Sequence, residues 1–197
     1  MNILRRVVVV LASVGVFAIA VLQFNTTAIA DDAVKTKQVE VKDIKLAVPT
    51  SWKQEKPSSS LRLTQFRIPA ADGDKEDAEL SVFSFGASSV VDNVKRWTGQ
   101  FDPNGREAKV TSGEAEIGKY VFVEVSGIYN KPVGPPVFGK TEAVPDSRMY
   151  AVLLTTDKGV YYLKLTGPDK TVSGEATTLR ASFGGDAAKE KEYKLED

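Results

Sequence analysis

The 197-residue sequence contains no cysteine and no histidine. Disulfides, thiolate nucleophiles, Cys/His zinc sites and histidine acid–base relays are therefore excluded, and a metal ion would need oxygen ligands. Neither sign of charge is in excess, because 26 Lys and Arg balance 26 Asp and Glu. The basic residues are dispersed among acidic ones, whereas a nucleic-acid backbone requires a concentrated basic face, so we predict no nucleic-acid partner.

A long hydrophobic run occurs at the N-terminus. Two arginines precede an apolar stretch over residues 7–22, and the small-x-small cleavage pattern Ala28-Ile29-Ala30 follows. We interpret residues 1–30 as a signal peptide removed on export, with a retained membrane anchor as the alternative. No cysteine follows the run, which excludes a lipid anchor there. The mature chain is then extracytoplasmic, either periplasmic or secreted, without a membrane span after cleavage.

The rest of the chain has the composition of one globular domain, because hydrophobic residues make up 42% of the sequence. Residues 31–38 are polar and are predicted to be a flexible N-terminal segment. Residues 39–185 are predicted to form the domain. The charged C-terminal tail, residues 186–197, is predicted to be frayed or disordered.

Strands are indicated by period-2 alternation of apolar residues, with turn residues between them. In residues 79–85 both faces are apolar, since Leu80 and Val82 point one way and Phe83 and Phe85 the other, which predicts a strand covered on both sides. Lys42-Asp43 is predicted to be a turn or a bulge between two short strands. The strand signals lie at 39–41, 44–48, 61–68, 79–85, 107–117, 120–129, 149–155 and 159–166.

Two helices are indicated by apolar residues at helical spacing. The first is predicted over 88–101, with Ser89 and Asp92 as its capping box. The second is predicted to start near Pro168 and to run to Phe183. The apolar stripes consist of Val90, Val94, Trp97 and Phe101 in the first helix and Val172, Ala176, Leu179 and Phe183 in the second.

These elements predict an α+β fold: an antiparallel sheet of about six or seven strands flanked by helices that cover its apolar faces. Trp52 and Trp97 lie in apolar patterns and are assigned to the core. Lys164 lies between Tyr162 and Thr166 on one strand face. If Lys164 is buried, its amine could take part in chemistry. The expected case is a lysine side chain that extends to solvent.

Four short segments carry a family resemblance. They are Val48-Pro49 with Trp52 after it, Leu61-Arg62-Leu63, Ser81-Val82-Phe83, and Lys164-Leu165-Thr166-Gly167-Pro168 before the closing helix. In this order they resemble exported bacterial members of the Mog1/PsbP-like superfamily. The resemblance covers most of residues 39–183 and implies an α/β/α sandwich. It also implies a binding or accessory module without a shared set of catalytic residues.

The segment 134–141 matches the phosphate-binding pattern G-x-x-x-x-G-K-[ST]. Pro135 and Pro136 each remove a backbone N–H that a phosphate cradle needs, and Pro145 would interrupt the helix that must follow. We therefore predict no nucleotide cofactor.

The proline-rich segment 131–147 is predicted to be a long ordered loop between two strands. Long loops in compact domains are often functional, and this one is flanked by aromatic and cationic side chains. We predict a candidate binding surface here, with structural packing as the alternative. Its residues are Tyr129, Phe138, Lys140, Arg148 and Tyr150.

A calcium site and a catalytic centre are the remaining possibilities. Residues 72–77 hold four carboxylates, but the segment lacks the closing Glu of an EF-hand and reads as a hairpin turn, so we predict no metal site. No G-x-S-x-G or S-x-x-K motif occurs, and no catalytic residue is assigned.

The sequence therefore predicts an exported, non-enzymatic binding or accessory module of the cell envelope, with a protein as its partner and no cofactor. Two alternatives stay open. One is a small-molecule or lipid carrier that uses a cleft between sheet and helix. The other is a hydrolase that uses carboxylates or a Ser/Lys pair.

Overall fold

The computed structural model describes residues 34–134 and 139–195. The predicted signal peptide and Phe138 lie outside these residues. The helices are Val90–Thr98 (α1), Asp169–Gly174 (α2) and Ala176–Ser182 (α3). The strands are Thr36–Val41 (β1), Ile44–Pro49 (β2), Lys53–Glu55 (β3), Thr64–Ile68 (β4), Ala78–Phe85 (β5), Glu107–Ala115 (β6), Gly118–Pro132 (β7), Thr141–Thr156 (β8), Gly159–Pro168 (β9) and Lys191–Glu192 (β10).

The described strands form one eight-stranded sheet, in the order β10-β6-β7-β8-β9-β5-β4-β3, and a separate hairpin of β1 and β2. All neighbouring strands are antiparallel. The predicted α+β class with an antiparallel sheet is confirmed. The main sheet has more strands than predicted because its edges, β3 and β10, are three and two residues long and too short to show a period.

The central strands are buried on both faces, which gives two hydrophobic clusters. On one side, Val94 and Trp97 of α1 pack with Val123, Met149 and Ala151; we call this the α1 face. On the other side, β1, β2, α2 and α3 cover the sheet; we call this the hairpin face. The predicted core positions are confirmed for both tryptophans, because Trp52 is buried on the hairpin face and Trp97 on the α1 face.

Helix α1 forms as its caps predict. The Ser89 side chain accepts a hydrogen bond from the Asp92 N–H at 3.3 Å, and the Gly99 N–H closes the helix on the Lys95 carbonyl at 2.9 Å. The chain then joins the sheet, where Phe101 forms a bridge with Tyr129 of β7. The C-terminal end of α1 is thereby fixed over the sheet.

The predicted long loop 131–147 is largely wrong, because β7 and β8 continue as a paired ribbon as far as Pro132 and Thr141. The register shifts between Gly127 and Tyr129, so Pro145 and Asp146 fall outside the pairing, where Pro145 needs no ladder hydrogen bond. Asp146 has a φ of 48°, a left-handed value that Asp tolerates. Pro145 therefore marks a bulge rather than a loop.

The predicted closing helix is two helices, α2 and α3, which meet at Glu175. Gly174 weakens the helix immediately before this break, because glycine is about 1 kcal/mol less favourable than alanine in a helix. The break leaves the apolar stripe intact, since Val172, Leu179 and Phe183 are all buried on the hairpin face.

Both predicted flexible ends are partly ordered. Strand β1 begins at Thr36, inside the predicted flexible segment 31–38. The C-terminal tail was predicted to be frayed, but β10 pairs with β6 and the Glu190 carboxylate accepts hydrogen bonds from Arg180 at 2.6 and 3.0 Å and from Thr111 at 2.6 Å. The Glu190 side chain is only 4% exposed, so this buried ion pair fixes the tail.

We expect Glu190→Gln to destabilise the protein by about 3 kcal/mol, because it leaves the buried Arg180 without a counter-charge. Burial opposes ionisation of Glu190, but the bonds from Arg180 and Thr111 outweigh it and lower the pKa of the carboxyl. The stabilisation should therefore be complete above about pH 4.3 and be lost as pH falls through the lower folded pKa. Urea denaturation measures it, with the exposed Glu192→Gln as the matched control. Equal stability of the two variants would contradict this.

Candidate functional site

The four predicted binding residues that the structure describes do not form one surface. Tyr150 is buried on the hairpin face, and Arg148 on the same face pairs with Glu124 and with Asp169 at 2.8 Å. Tyr129 lies on the α1 face. Lys140 is exposed immediately before β8, and Phe138 is outside the described residues. The structure thus brings Arg148 and Tyr150 together and separates them from Tyr129.

A different surface lies beside α1. The helix packs over β7 and β8, contacts Tyr162 of β9 through Trp97, and leaves Phe85 at the end of β5 exposed on the same face. A groove of about 300 Å³ lies between α1, the end of β5 and Tyr162 of β9. We call it the α1 groove; it is lined by Phe85, Gly86, Ser88, Asp92, Asn93, Arg96 and Tyr162.

One wall of the α1 groove is aromatic. Phe85 stacks on Phe83 with ring centroids 5.8 Å apart, and it contacts Tyr162 at 5.8 Å. Trp97 supports Tyr162 edge-on at 6.4 Å. Phe85 was predicted to be covered, but 44% of it is exposed. The rings behind Phe85 hold it in place, so it offers apolar area to a ligand at little cost in side-chain entropy.

The other wall is polar and held by a chain of hydrogen bonds. The Tyr162 hydroxyl lies 2.8 Å from the Ser88 hydroxyl, which accepts a bond from the Asn93 amide at 2.6 Å. Arg96 donates to the Asn93 side-chain oxygen at 2.6 Å. Since Asn93 is itself buried, its amide fixes the position of the exposed Arg96. The groove is therefore built before any ligand arrives.

Lys164 lies next to the groove on the same face of β9, two residues beyond Tyr162. Its neighbours across the sheet, Ser81 and Ala151, are small and leave room for its stem. Its amine donates to Gln100 Oε1 at 2.5 Å and to the Tyr129 hydroxyl at 3.1 Å. The predicted extension to solvent is wrong, because the amine is held beneath the end of α1.

The charge around Lys164 is unbalanced. Arg62 pairs with Glu79 at 2.7 Å, and Glu79 also accepts a bond from Ser81 at 3.0 Å. Among the described residues, no carboxylate lies within 4 Å of the Lys164 amine. We call Lys164, Gln100, Tyr129, Arg62 and Glu79 the Lys164 cluster.

Burial, together with the positive charges of Arg62 and Arg96 and against the opposing charge of Glu79, lowers the pKa of Lys164 to about 8. Burial raises the pKa of Tyr129, so its hydroxyl stays neutral. The sequence indicated Lys164 and Tyr129 as candidate functional residues. No sequence pattern indicated that Arg62, Arg96 and Gln100 belong with them, because only the fold brings these residues close to Lys164.

A larger hollow, of about 540 Å³, lies at the turns between strands and is lined in part by Asp43, Lys45, Glu116, Asp157 and Lys158. Three carboxylates and two lysines line it, and Lys158 pairs with Asp157 at 3.0 Å. None of its lining residues is aromatic, so the α1 groove is the better candidate for an interface.

The other motifs have structural explanations. Asp74 accepts bonds from the Thr171 N–H at 2.9 Å and hydroxyl at 2.5 Å, and Asp77 accepts from Arg67 at 2.7 Å, so these two carboxylates of the acidic loop have protein partners. No group of three or more metal-binding side chains occurs among residues 34–134 and 139–195. Thr141 begins a strand, whereas a phosphate-binding loop requires a helix there.

Among solved structures, the chain is similar to the solution structure of cyanobacterial PsbP (CyanoP) from Synechocystis sp. PCC 6803. Sequence identity is 12%, the match covers 83% of this chain and 96% of that one, and the TM-score is 0.45. No family model matches the chain, and no curated protein does either. We take no site residue, partner or activity from this similarity.

None of the helices in the part of the chain that the structure describes is both long and apolar enough to cross a membrane.

The low pKa of Lys164 should be visible in stability. The unfolded chain binds more protons than the folded protein between the folded pKa of about 8 and the ordinary lysine value, so the free energy of unfolding should rise with pH over this window. Between pH 7.5 and 9.5 we expect a rise of about 2 kcal/mol that Lys164→Met lacks. Denaturant unfolding at both pH values measures it, and NMR titration of the Lys164 amine gives the pKa directly. An amine that titrates near pH 10.5 would refute the assignment.

Proposed function

We propose that this protein is a non-enzymatic binding module that holds a protein partner in the α1 groove. The observation that carries the proposal is the pairing of an exposed aromatic ring, Phe85, with a positioned arginine, Arg96, across a preformed concave surface. Aromatic residues and arginine are enriched where interface energy concentrates. The open flank of the groove suits a protein segment better than an enclosed small ligand.

The module acts in the cell envelope under this proposal. The support is the predicted signal peptide, with its basic start, apolar run and small-x-small site in residues 1–30. An envelope adaptor also fits a chain without cysteine, since its core is large enough to fold without disulfides.

The geometry of Ser81 supports binding rather than hydrolysis. A Ser/Lys hydrolase needs the serine hydroxyl bonded to the lysine amine that takes its proton. Here Ser81 donates to Glu79, and the Lys164 amine bonds to Gln100 and Tyr129. A small-molecule carrier is the second candidate, because a cavity of about 300 Å³ lies at the lower end of the range for ligand pockets.

Site-specific crosslinking tests the proposed surface. The tagged full chain is expressed in its own cells with a photoreactive benzoylphenylalanine at position 85 or, as the matched control, at position 140. We expect one protein adduct from position 85 that is absent from position 140, because only the first lies in the groove.

Capture without crosslinking should agree with this. Phe85→Ala combined with Arg96→Gln should weaken recovery of the partner at least about tenfold, as expected when two residues at the centre of an interface are lost. Lys140→Ala should leave recovery unchanged, and circular dichroism checks that each variant folds. A partner lost by Lys140→Ala and kept by the groove variant would place binding on the ribbon instead. Stabilisation by extracted small molecules in the absence of any protein adduct would favour the carrier.

A further inference from the structure

We propose that the Lys164 cluster recognises a carboxylate of the partner, presented beside an aromatic side chain that Phe85 and Tyr162 hold. This inference rests on the proposed function and names the chemistry of the segment that is bound. It concerns two adjoining parts of one surface, the α1 groove and the Lys164 cluster.

The α1 groove and the Lys164 cluster adjoin each other on strand β9. Tyr162 and Lys164 lie on the same face of β9 two residues apart, so their side chains leave the strand about 7 Å from each other. Arg96 belongs to both parts, because it lines the groove and its charge acts on Lys164. A segment with an aromatic and an acidic side chain on neighbouring positions spans this distance.

The charged side chains of this surface sum to one positive unit. Arg62 pairs with Glu79, and Asp92 lies one helical turn from Arg96 and offsets its charge without forming an ion pair with it. Among the described residues, the Lys164 ammonium bonds to a neutral amide and a neutral hydroxyl. A partly buried cation without a counter-ion lowers stability, and an anion that binds beside it removes this penalty.

The balance of charge favours a carboxylate. The net charge of one positive unit matches one carboxylate, whereas a phosphate dianion would exceed it by one negative charge. The guanidinium of Arg96 adds planar donors that suit a carboxylate. The aromatic wall beside it supplies the apolar contact that a bare acid would lack.

The test uses 3-phenylpropanoate as a minimal aromatic carboxylate and 3-phenylpropanamide as its neutral match. Each is titrated into the protein at pH 7 and followed by NMR at the Lys164 amine and the Phe85 and Tyr162 rings. We expect the acid to bind about five- to tenfold more tightly than the amide, as a charge-assisted hydrogen bond provides. The preference should disappear in Lys164→Met and in Lys164→Gln and persist in the exposed control Lys158→Met.

The pH dependence is a second arm that needs no variant. The groups that face Lys164 are Arg62 before β4, Glu79 of β5, Arg96 of α1 and Tyr129 of β7. The carboxylate favours the ammonium form, so binding takes up a proton and affinity for the acid should fall as pH rises through about 8. Affinity for the amide should change little between pH 7 and 9.5.

Equal affinity for acid and amide, an acid preference that survives both Lys164 variants, or no binding of either probe would each overturn the inference. These outcomes differ from failure of the proposed function. If the position-85 adduct forms while the probes show no acid preference, the groove binds a protein without this carboxylate contact. If no adduct forms while the acid preference holds, the cluster recognises a free carboxylate and the module is a carrier.

Discussion

A sheet that is apolar on both faces must be covered on both, and this constraint determines where the candidate site lies. A helix with its side chains is about 10 Å wide and neighbouring strands are about 4.8 Å apart, so one helix covers about two strands. On the hairpin face, β1, β2, α2 and α3 share the task. On the α1 face, α1 packs over β7 and β8 and reaches Tyr162 of β9, and Phe85 at the end of β5 stays exposed. The groove is the remainder of an incompletely covered sheet face.

The position of the end of α1 explains how a lysine can occupy an interior strand. Beneath α1 the side chains on this face are apolar, as at Met149 and Ala151. One strand further, Lys164 extends past two small neighbours and reaches the end of the helix at Gln100. The amine is desolvated enough for its pKa to fall, yet it keeps two hydrogen bonds. The free-energy penalty of its charge is local, and a ligand of opposite sign would relieve it.

The elements that the sequence predicted are those with a local cause. Period-2 alternation located most strands, and the Ser89 cap located the start of α1. What sequence reasoning missed depends on pairing between distant segments. Pro145 is a loop signal in isolation and a bulge residue once β7 lies opposite it. Glu190 is one more charge in a charged tail until Arg180 and Thr111 surround it. The groove was missed for the same reason. The alternation around Phe85 is that of a covered residue, and Phe85 is exposed because α1 is too narrow to cover it.

Two arginines show what the sequence alone leaves out when binding residues are chosen. Arg148 stands among aromatic residues in the chain, which marked it as a candidate, but Glu124 and Asp169 both contact its guanidinium. Arg96 stands in an ordinary helix, and among the described residues its hydrogen-bond partner is the neutral Asn93, with its guanidinium near the Trp97 ring. A cation already matched by two carboxylates has little left to offer an anion, whereas one held in place by an amide retains its charge for a ligand. The number of carboxylates that face a basic side chain, rather than its neighbours in sequence, therefore decides whether it can recognise a partner.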